Sequence, residues 1–276
     1  MDTTYTPFDP FSVWGHLTVD DVLWDEACAA LDRARRSSSP DRCDVTLSIC
    51  RRLATCPSAV SAGGLSAAWN AAARGTTVRE LLDAQLEALT WVRRAAADLS
   101  TVTETWLRRT HIEVCRPQRS VSILTAHGWQ DGTFHRGWYK RLANRGHHPD
   151  GSHLAFAPAI DTPSEMRRLV GQLRSPGFAD AHPVLQAAYA HYGLVRVHPF
   201  QDGNGRVARA LASVYLCRAT ALPLIIVTPR RDDYLASLCA AVRGDRAAFV
   251  DFLFRRAVDT MWLAAESLQP AAGQAV

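Results

Sequence analysis

Apolar positions along this chain recur mostly at three- and four-residue spacing, the period of a helix with one buried face. Residues 183–197 show it through Val184, Leu185, Ala188, Tyr192 and Val195. Residues 204–220 repeat it through Val207, Leu211, Val214 and Tyr215, in a run rich in Ala, Leu and Arg. Nearer the start, Val22, Leu23, Ala27, Ala30 and Leu31 predict a helix over 19–36 capped by Thr18 and ended by Ser37-Ser38-Ser39-Pro40. Val45, Leu47, Ile49 and Leu53 predict another over 41–54, followed by a loop at 57–64. Two helices are expected between 65 and 97, broken near Gly75-Thr76-Thr77, where Thr77 and Glu80 make a capping-box pair. Thr103 caps the next, which runs to Cys115. Thr162, with Pro163 at the first helical position and Glu165 completing a box, opens a further helix. Asp232 or Asp233 caps one ending at Val242, and Asp245 opens the last, through Phe249, Phe252, Leu253, Val258 and Trp262. Extended structure is credible only at 118–126 and 151–158, where alternation and turn residues coincide.

Composition narrows the class without naming a function. With 276 residues, 47% hydrophobic and 21% charged, the chain suits one or two globular domains with a sizeable core. No apolar run approaches a membrane span, and residues 1–10 lack the basic and apolar regions of a signal peptide, so the chain reads as cytoplasmic. The seven cysteines are odd in number and irregularly spaced, which indicates neither a disulfide framework nor a zinc site. The net charge of +4 is small and spread along the chain, so nucleic acid is not expected as a partner. Lys140 is the single lysine, and the densest basic run, 136–148, reads as a surface loop bearing arginines.

Chemistry concentrates in one stretch between two predicted helices, His198-Pro199-Phe200-Gln201-Asp202-Gly203-Asn204-Gly205-Arg206-Val207-Ala208-Arg209. Taken singly, its parts are ordinary: a His at a helix end is a cap, Gly-Asn-Gly a turn, an Arg pair a solvated face. Together they describe a phosphate site. Gly203 and Gly205 let successive N–H groups converge at a helix N-terminus, where unpaired donors and the positive dipole end favour an anion. Arg206 and Arg209 share a helical face and could clamp a polyphosphate, and Asp202 could carry a Mg²⁺ ion shared with it. His198 is the group that can accept a proton near neutral pH, and Phe200 reads as an apolar anchor for the loop.

The same residues resemble the signature of the Fic family, His-x-Phe-x-(Asp/Glu)-Gly-Asn-Gly-Arg-x-x-Arg, at all eight defining positions: His198, Phe200, Asp202, Gly203, Asn204, Gly205, Arg206 and Arg209. The likeness extends over roughly residues 76–256, taking in His191 and Tyr192 before the motif and Arg231-Asp232-Asp233-Tyr234 after it. It implies an all-α fold, a Fic-like helical bundle with a short β-hairpin flap. It divides the chain into an N-terminal helical layer at 1–75, a core at 76–256, and a helix end with a disordered tail at 257–276. It implies transfer of AMP from ATP to a hydroxyl side chain of a target protein, with His198 deprotonating the acceptor and in-line attack at the α-phosphate. Asp202 would hold Mg²⁺, the Gly203-Asn204-Gly205 amides the α- and β-phosphates, Arg206 the β-phosphate and Arg209 the γ-phosphate. Transfer of another phosphate-bearing group, transfer to a small-molecule hydroxyl, and a non-catalytic nucleotide-binding module remain alternatives.

Two further features follow from the resemblance. Many Fic proteins carry an inhibitory helix, Ser/Thr-x-x-x-Glu-Gly/Asn, whose glutamate pairs with the second motif arginine. The best local match is Ser66-Ala67-Ala68-Trp69-Asn70-Ala71, in which Asn70 stands in place of the glutamate and Ala71 in place of Gly or Asn, a degenerate form. A second candidate, Ser100 to Glu104 followed by Thr105, fits the spacing, but Thr103 serves better as the cap of the next helix. The flap, which pairs with an extended piece of the target, is assigned to 153–160, including His153, Leu154, Ala155 and Phe156, with an ordinary surface loop as the other reading.

Overall fold

The computed structural model describes residues 5–60, 77–125, 128–147 and 153–269. Helices dominate it. After a short 3₁₀ turn at Phe11–Val13 come α1 (Asp21–Arg36), α2 (Pro40–Val60), α3 (Val78–Ala97) and α4 (Glu104–Val114). The hairpin β1 (Ser120–Thr125) and β2 (Gly128–Thr133) follows, then a second small antiparallel pair, β3 (Arg145–His147) and β4 (His153–Ala155). The remainder is α5 (Thr162–Gln172), α6 (Pro176–Ala179), α7 (Pro183–Val197), α8 (Asn204–Thr220), α9 (Arg231–Val242) and α10 (Arg246–Leu268).

Helix α7 is the axis of the fold. From Val184 to Val197 every residue except Gln186 is buried, so the helix has no solvated face and must be covered on all sides. Helices α8, α10 and α5 supply that cover. Gly193 allows the closest approach, since a Cβ there would sit 2.6 Å from Leu169 Cδ1 of α5. At the front of α7, Tyr189 is ringed by Phe11, Trp14 and Phe178 at 5.1 to 6.0 Å between ring centroids, and its hydroxyl donates to the Asp9 carbonyl at 3.0 Å. Helix α1 packs on α10, and α2 on α3 and α10, so buried residues run without a gap from Phe8 through Trp24 to Leu268. Among the described residues, no helix is long and apolar enough to cross a membrane.

Several boundaries differ from the sequence expectation, for local reasons. The first helix is capped by Asp20 instead of Thr18, because the Asp20 carboxylate accepts from the Leu23 N–H at 2.9 Å. Helix α2 begins at Pro40, a residue preorganised for a first turn, and continues to Val60, beyond the expected end at 54. Thr162 does not cap α5 but lies within it, bonding back to the Pro158 carbonyl. Glu165 completes no box there; it accepts instead from Tyr5 and Arg168. Helix α9 starts at Arg231, after a 3₁₀ turn, with no side-chain cap from Asp232 or Asp233. By contrast, the Thr77–Glu80 box, the Thr103 cap and the Asp245 cap are formed as expected.

The strand content also departs from expectation. Residues 128–133 pair with β1, and residues 145–147, expected as loop, pair with β4. Only 153–155 of the segment 153–160 are strand. Most of the break between α2 and α3, with Asn70 in the Ser66–Ala71 stretch, and the tail from 270 lie outside the described residues.

Candidate active site

The motif loop is the hinge between α7 and α8. His198 caps the C-terminus of α7 in the left-handed region, at φ 52° and ψ 57°, and its N–H donates to Leu194 O at 2.8 Å. Gly203 opens α8 at φ 81°, also left-handed, and no larger residue fits there: a Cβ would stand 2.5 Å from Cys115 Sγ and 3.2 Å from His111 Nε2. Between these ends, Phe200 is fully buried, with the His111 ring stacked on it at 3.9 Å and 12°. Asn204 is buried too. Its Oδ1 accepts from the Phe200 N–H at 2.9 Å and its Nδ2 donates to the Phe200 carbonyl at 2.7 Å, so the side chain closes the loop on itself. What Asn204 can still offer an anion is its backbone N–H, in the unpaired first turn of α8.

His198 carries its ring in a defined setting. Nδ1 lies 3.3 Å from Val195 O, which favours a proton on Nδ1 and leaves Nε2 as the acceptor. The Phe156 ring stacks on the imidazole at 3.7 Å and 10°. Burial, then the positive charge of Lys140, lower its pKa to about 3, against smaller opposing effects of the Val195 carbonyl and Asp202. The imidazole is therefore neutral and able to accept a proton.

Asp202 is braced as a carboxylate. Burial alone would raise its pKa, but Arg206, the Gln118 amide and the Gly203 N–H together outweigh burial and the net shift is downward. Gln118 Nε2 donates to Oδ2 at 2.7 Å and Gly203 N to Oδ1 at 2.6 Å, with Arg206 at 3.5 Å. Its backbone carbonyl also pairs with His111 Nε2 at 3.0 Å. Arg206 donates to Val114 O at 3.2 Å and Gln118 Oε1 at 2.8 Å. In this arrangement its guanidinium ties α8 to the end of α4 as well as to Asp202. Arg209 hydrogen-bonds Tyr234, whose hydroxyl lies 3.3 Å from Nε2 of the buried His191. Gly205 leaves room beside Arg209, since the nearest atom to a Cβ there would be Arg209 NH1 at 3.5 Å.

The expected residues thus converge on one loop. Around them stand groups that sequence reasoning did not place at the site. His111 and Gln118 come from α4 and the turn after it, Lys140 and Asn144 from the segment between β2 and β3. No local pattern marks them, because their partners lie 56 to 91 residues away in the chain. The solitary lysine was the one visible oddity. Of the flap candidates, Ala155 accepts from Arg196 NH1 at 3.3 Å and Phe156 covers His198, while His153 and Leu154 are defined by their backbone pairing with β3.

Asp202 is the residue of this loop that could hold a metal. No group of three or more His, Cys, Asp or Glu side chains among the described residues forms a dedicated cage. Asp202, kept ionised, fits the other mode, in which Mg²⁺ takes one carboxylate and completes its shell with phosphates and water.

Part of the chain and its fold are similar to those of known proteins. Residues 102–216 match the family described as Fic/DOC. A protein adenylyltransferase Fic from Drosophila persimilis is 43% identical over 103 residues, covering 37% of this chain and 20% of that protein. The corresponding protein of Culex quinquefasciatus is 39% identical over 124 residues, 44% of this chain and 25% of that protein. The chain therefore spans about a fifth to a quarter of the length of these curated relatives. Among solved structures, a Fic domain containing signaling protein from Bacteroides thetaiotaomicron superposes with a TM-score of 0.70 at 20% identity, covering 89% of this chain and 96% of that one. Fic-1 from C. elegans gives 0.62 at 17% identity, covering 88% and 71%. Residues 102–216, the stretch that matches the Fic/DOC family, hold the braced loop and the helices on either side of it.

Proposed function

We propose that this protein is a nucleotidyltransferase that moves AMP from ATP to a hydroxyl side chain of a target protein. The observation that carries the reading is a neutral His198 held at the end of α7, across a short loop from the open N-terminus of α8. Phosphoryl transfer asks little more of a protein than positioning and charge neutralisation, and this loop supplies both.

His198 Nε2 takes the proton of the acceptor hydroxyl as its oxygen attacks the α-phosphorus in line. The bond from that phosphorus to the bridging oxygen breaks, and pyrophosphate leaves. The negative charge of a bound nucleotide acts on His198 against burial and Lys140, raising its basicity in the complex. The N–H groups of Gly203, Asn204 and Gly205 receive phosphate oxygens, and Arg209, steadied by Tyr234, receives the outer phosphates. Arg206 acts chiefly through Asp202, which would hold Mg²⁺; the ion, when bound, neutralises charge on the phosphates. The β3–β4 pair is suited to aligning an extended stretch of the acceptor beside His198. The acceptor chemistry, a cytoplasmic setting and the three-part division of the chain belong to the same proposal.

The test is incubation with Mg²⁺ and each of labelled ATP, CTP, GTP and UTP, followed by intact-mass measurement of the protein and of added acceptors. An added AMP that disappears in His198→Ala, with nucleotide affinity held within about three-fold, is the expected result. Transfer at the wild-type rate by His198→Ala removes it from the mechanism. Transfer of another nucleotide, or labelling of a small hydroxyl compound alone, would redirect the reading to that donor or acceptor. Binding without transfer would reduce the site to a nucleotide-binding module.

A further inference from the structure

Lys140 is the single lysine of the chain, and it is only 4% exposed, in the irregular segment between β2 and β3. A buried ammonium needs compensation, and its hydrogen bonds among the described residues go to neutral groups. Nζ donates to Asn144 Oδ1 at 2.8 Å and to the Val197 carbonyl at 3.2 Å, and lies 5.9 Å from the centroid of the Phe156 ring. Val197 is the last residue of α7, so its carbonyl stands at the negative end of the helix dipole, where a cation is favoured.

The same segment holds two more carbonyls of the loop. The Lys140 backbone N–H donates to Pro199 O at 2.8 Å, and Asn144 Nδ2 donates to Phe200 O at 2.9 Å. His198 lies between these anchors in the left-handed conformation, which a residue with a side chain keeps only where its surroundings over-determine it. We infer that Lys140, with Asn144 as its relay, is a positioning residue for His198: it caps the end of α7, locks the left-handed turn that aims the imidazole, and sets a positive charge beside the ring. This rests on the reading of His198 as the base and adds the group that places it.

The charges and dipoles facing His198 are consistent with that role. They are Lys140, the Val195 carbonyl and, with a smaller effect, Asp202, with the Phe156 ring across its face. Lys140 opposes protonation of the imidazole, and the other two polar groups favour it. Burial lowers the Lys140 ammonium itself to about 7.

The variant Lys140→Met keeps the stem and removes the ammonium. Three quantities are measured on it: the Kd for Mg-ATP, the kcat of transfer, and the His198 titration by NMR of labelled histidine in nucleotide-free protein, assigned with His198→Ala. Expected are a Kd within about three-fold, a kcat lowered about ten-fold or more, and a His198 midpoint raised by about one pH unit. Lys140→Arg, which restores a cation, is expected to recover part of kcat and most of the wild-type midpoint. An unchanged His198 midpoint with unchanged kcat overturns the inference. Equal losses in kcat and affinity overturn it as well, since they assign Lys140 to general packing. If Lys140→Met does not fold, Asn144→Ala, which removes the relay and leaves the ammonium, is read by its split between kcat and Kd. Absence of any transfer by the wild type would sink the proposed function, while the NMR titration would still decide the role of Lys140.

Discussion

The Phe156 ring lies flat on the His198 imidazole, centroids 3.7 Å apart and planes 10° from parallel. Phe156 immediately follows β4, so the strand pair assigned to acceptor alignment and the proposed base are joined by direct contact. The stack excludes water from one face of the ring and restricts its rotation. Both effects serve a group that must meet a hydroxyl in one orientation.

Phe156→Ala is expected to lower kcat by about ten-fold with little change in nucleotide Kd, because the ring stacks on the base. The His198 midpoint should rise as water reaches the imidazole, since burial is the largest cause of its depression. Phe156→Leu, which restores apolar cover without the flat face, should recover the midpoint more than the rate. A transfer assay and NMR titration of the two variants decide it.

Acid sensitivity follows from the buried histidines. His191 and His198 are both lowered to about 3, His191 by burial first and then by Arg209. The unfolded chain protonates these groups near pH 6.5, so below that pH it binds protons that the folded chain refuses. Stability is therefore complete above about 6.5 and falls as the pH drops toward about 3. Each histidine contributes a slope of at most about 1.4 kcal/mol per pH unit. His111, lowered to about 4 by burial, adds to the upper part of the window. Urea unfolding at a series of pH values should show the decline, and His191→Leu should flatten it; an equal slope in that variant would contradict the assignment.

The two motif glycines should respond differently to alanine. Gly203→Ala places a Cβ at a left-handed φ of 81° and within 2.5 Å of Cys115 Sγ, against a wall formed by the end of α4. A loss of roughly 2–4 kcal/mol is expected from strain and overpacking together. Gly205→Ala meets only Arg209 NH1 at 3.5 Å, so stability should change by less than about 1 kcal/mol. Its Cβ would crowd the space before Arg209, and the expected effect is on nucleotide affinity. Denaturant melts and calorimetry separate the two.

Much of this was legible in the order of residues. Helix periodicity, the Thr77–Glu80 box, the Thr103 and Asp245 caps and the His198–Arg209 loop are short-range features, in which cause and consequence lie within a few turns. The misplaced start of α1 is also short-range, where Asp20 and not Thr18 takes the first-turn N–H, while α5 and α9 begin with no side-chain cap at all. The β2 and β3 strands were missed because neither Gly128–Thr133 nor Arg145–His147 carries a strand pattern of its own; each is extended because a partner strand satisfies its backbone.

The sequence by itself determined the helical class, the chemical inventory of the loop and the conformational freedom of Gly203. Tertiary structure decided which polar groups meet: His111 and Gln118 on Asp202, Gln118 on Arg206, Lys140 on Val197, Asn144 on Phe200, Tyr234 between His191 and Arg209. It also turned the Asn204 side chain inward to close the loop. The physical reason is that a buried polar group must find a partner wherever packing brings one, and in a bundle built around α7 those partners arrive from distant parts of the chain.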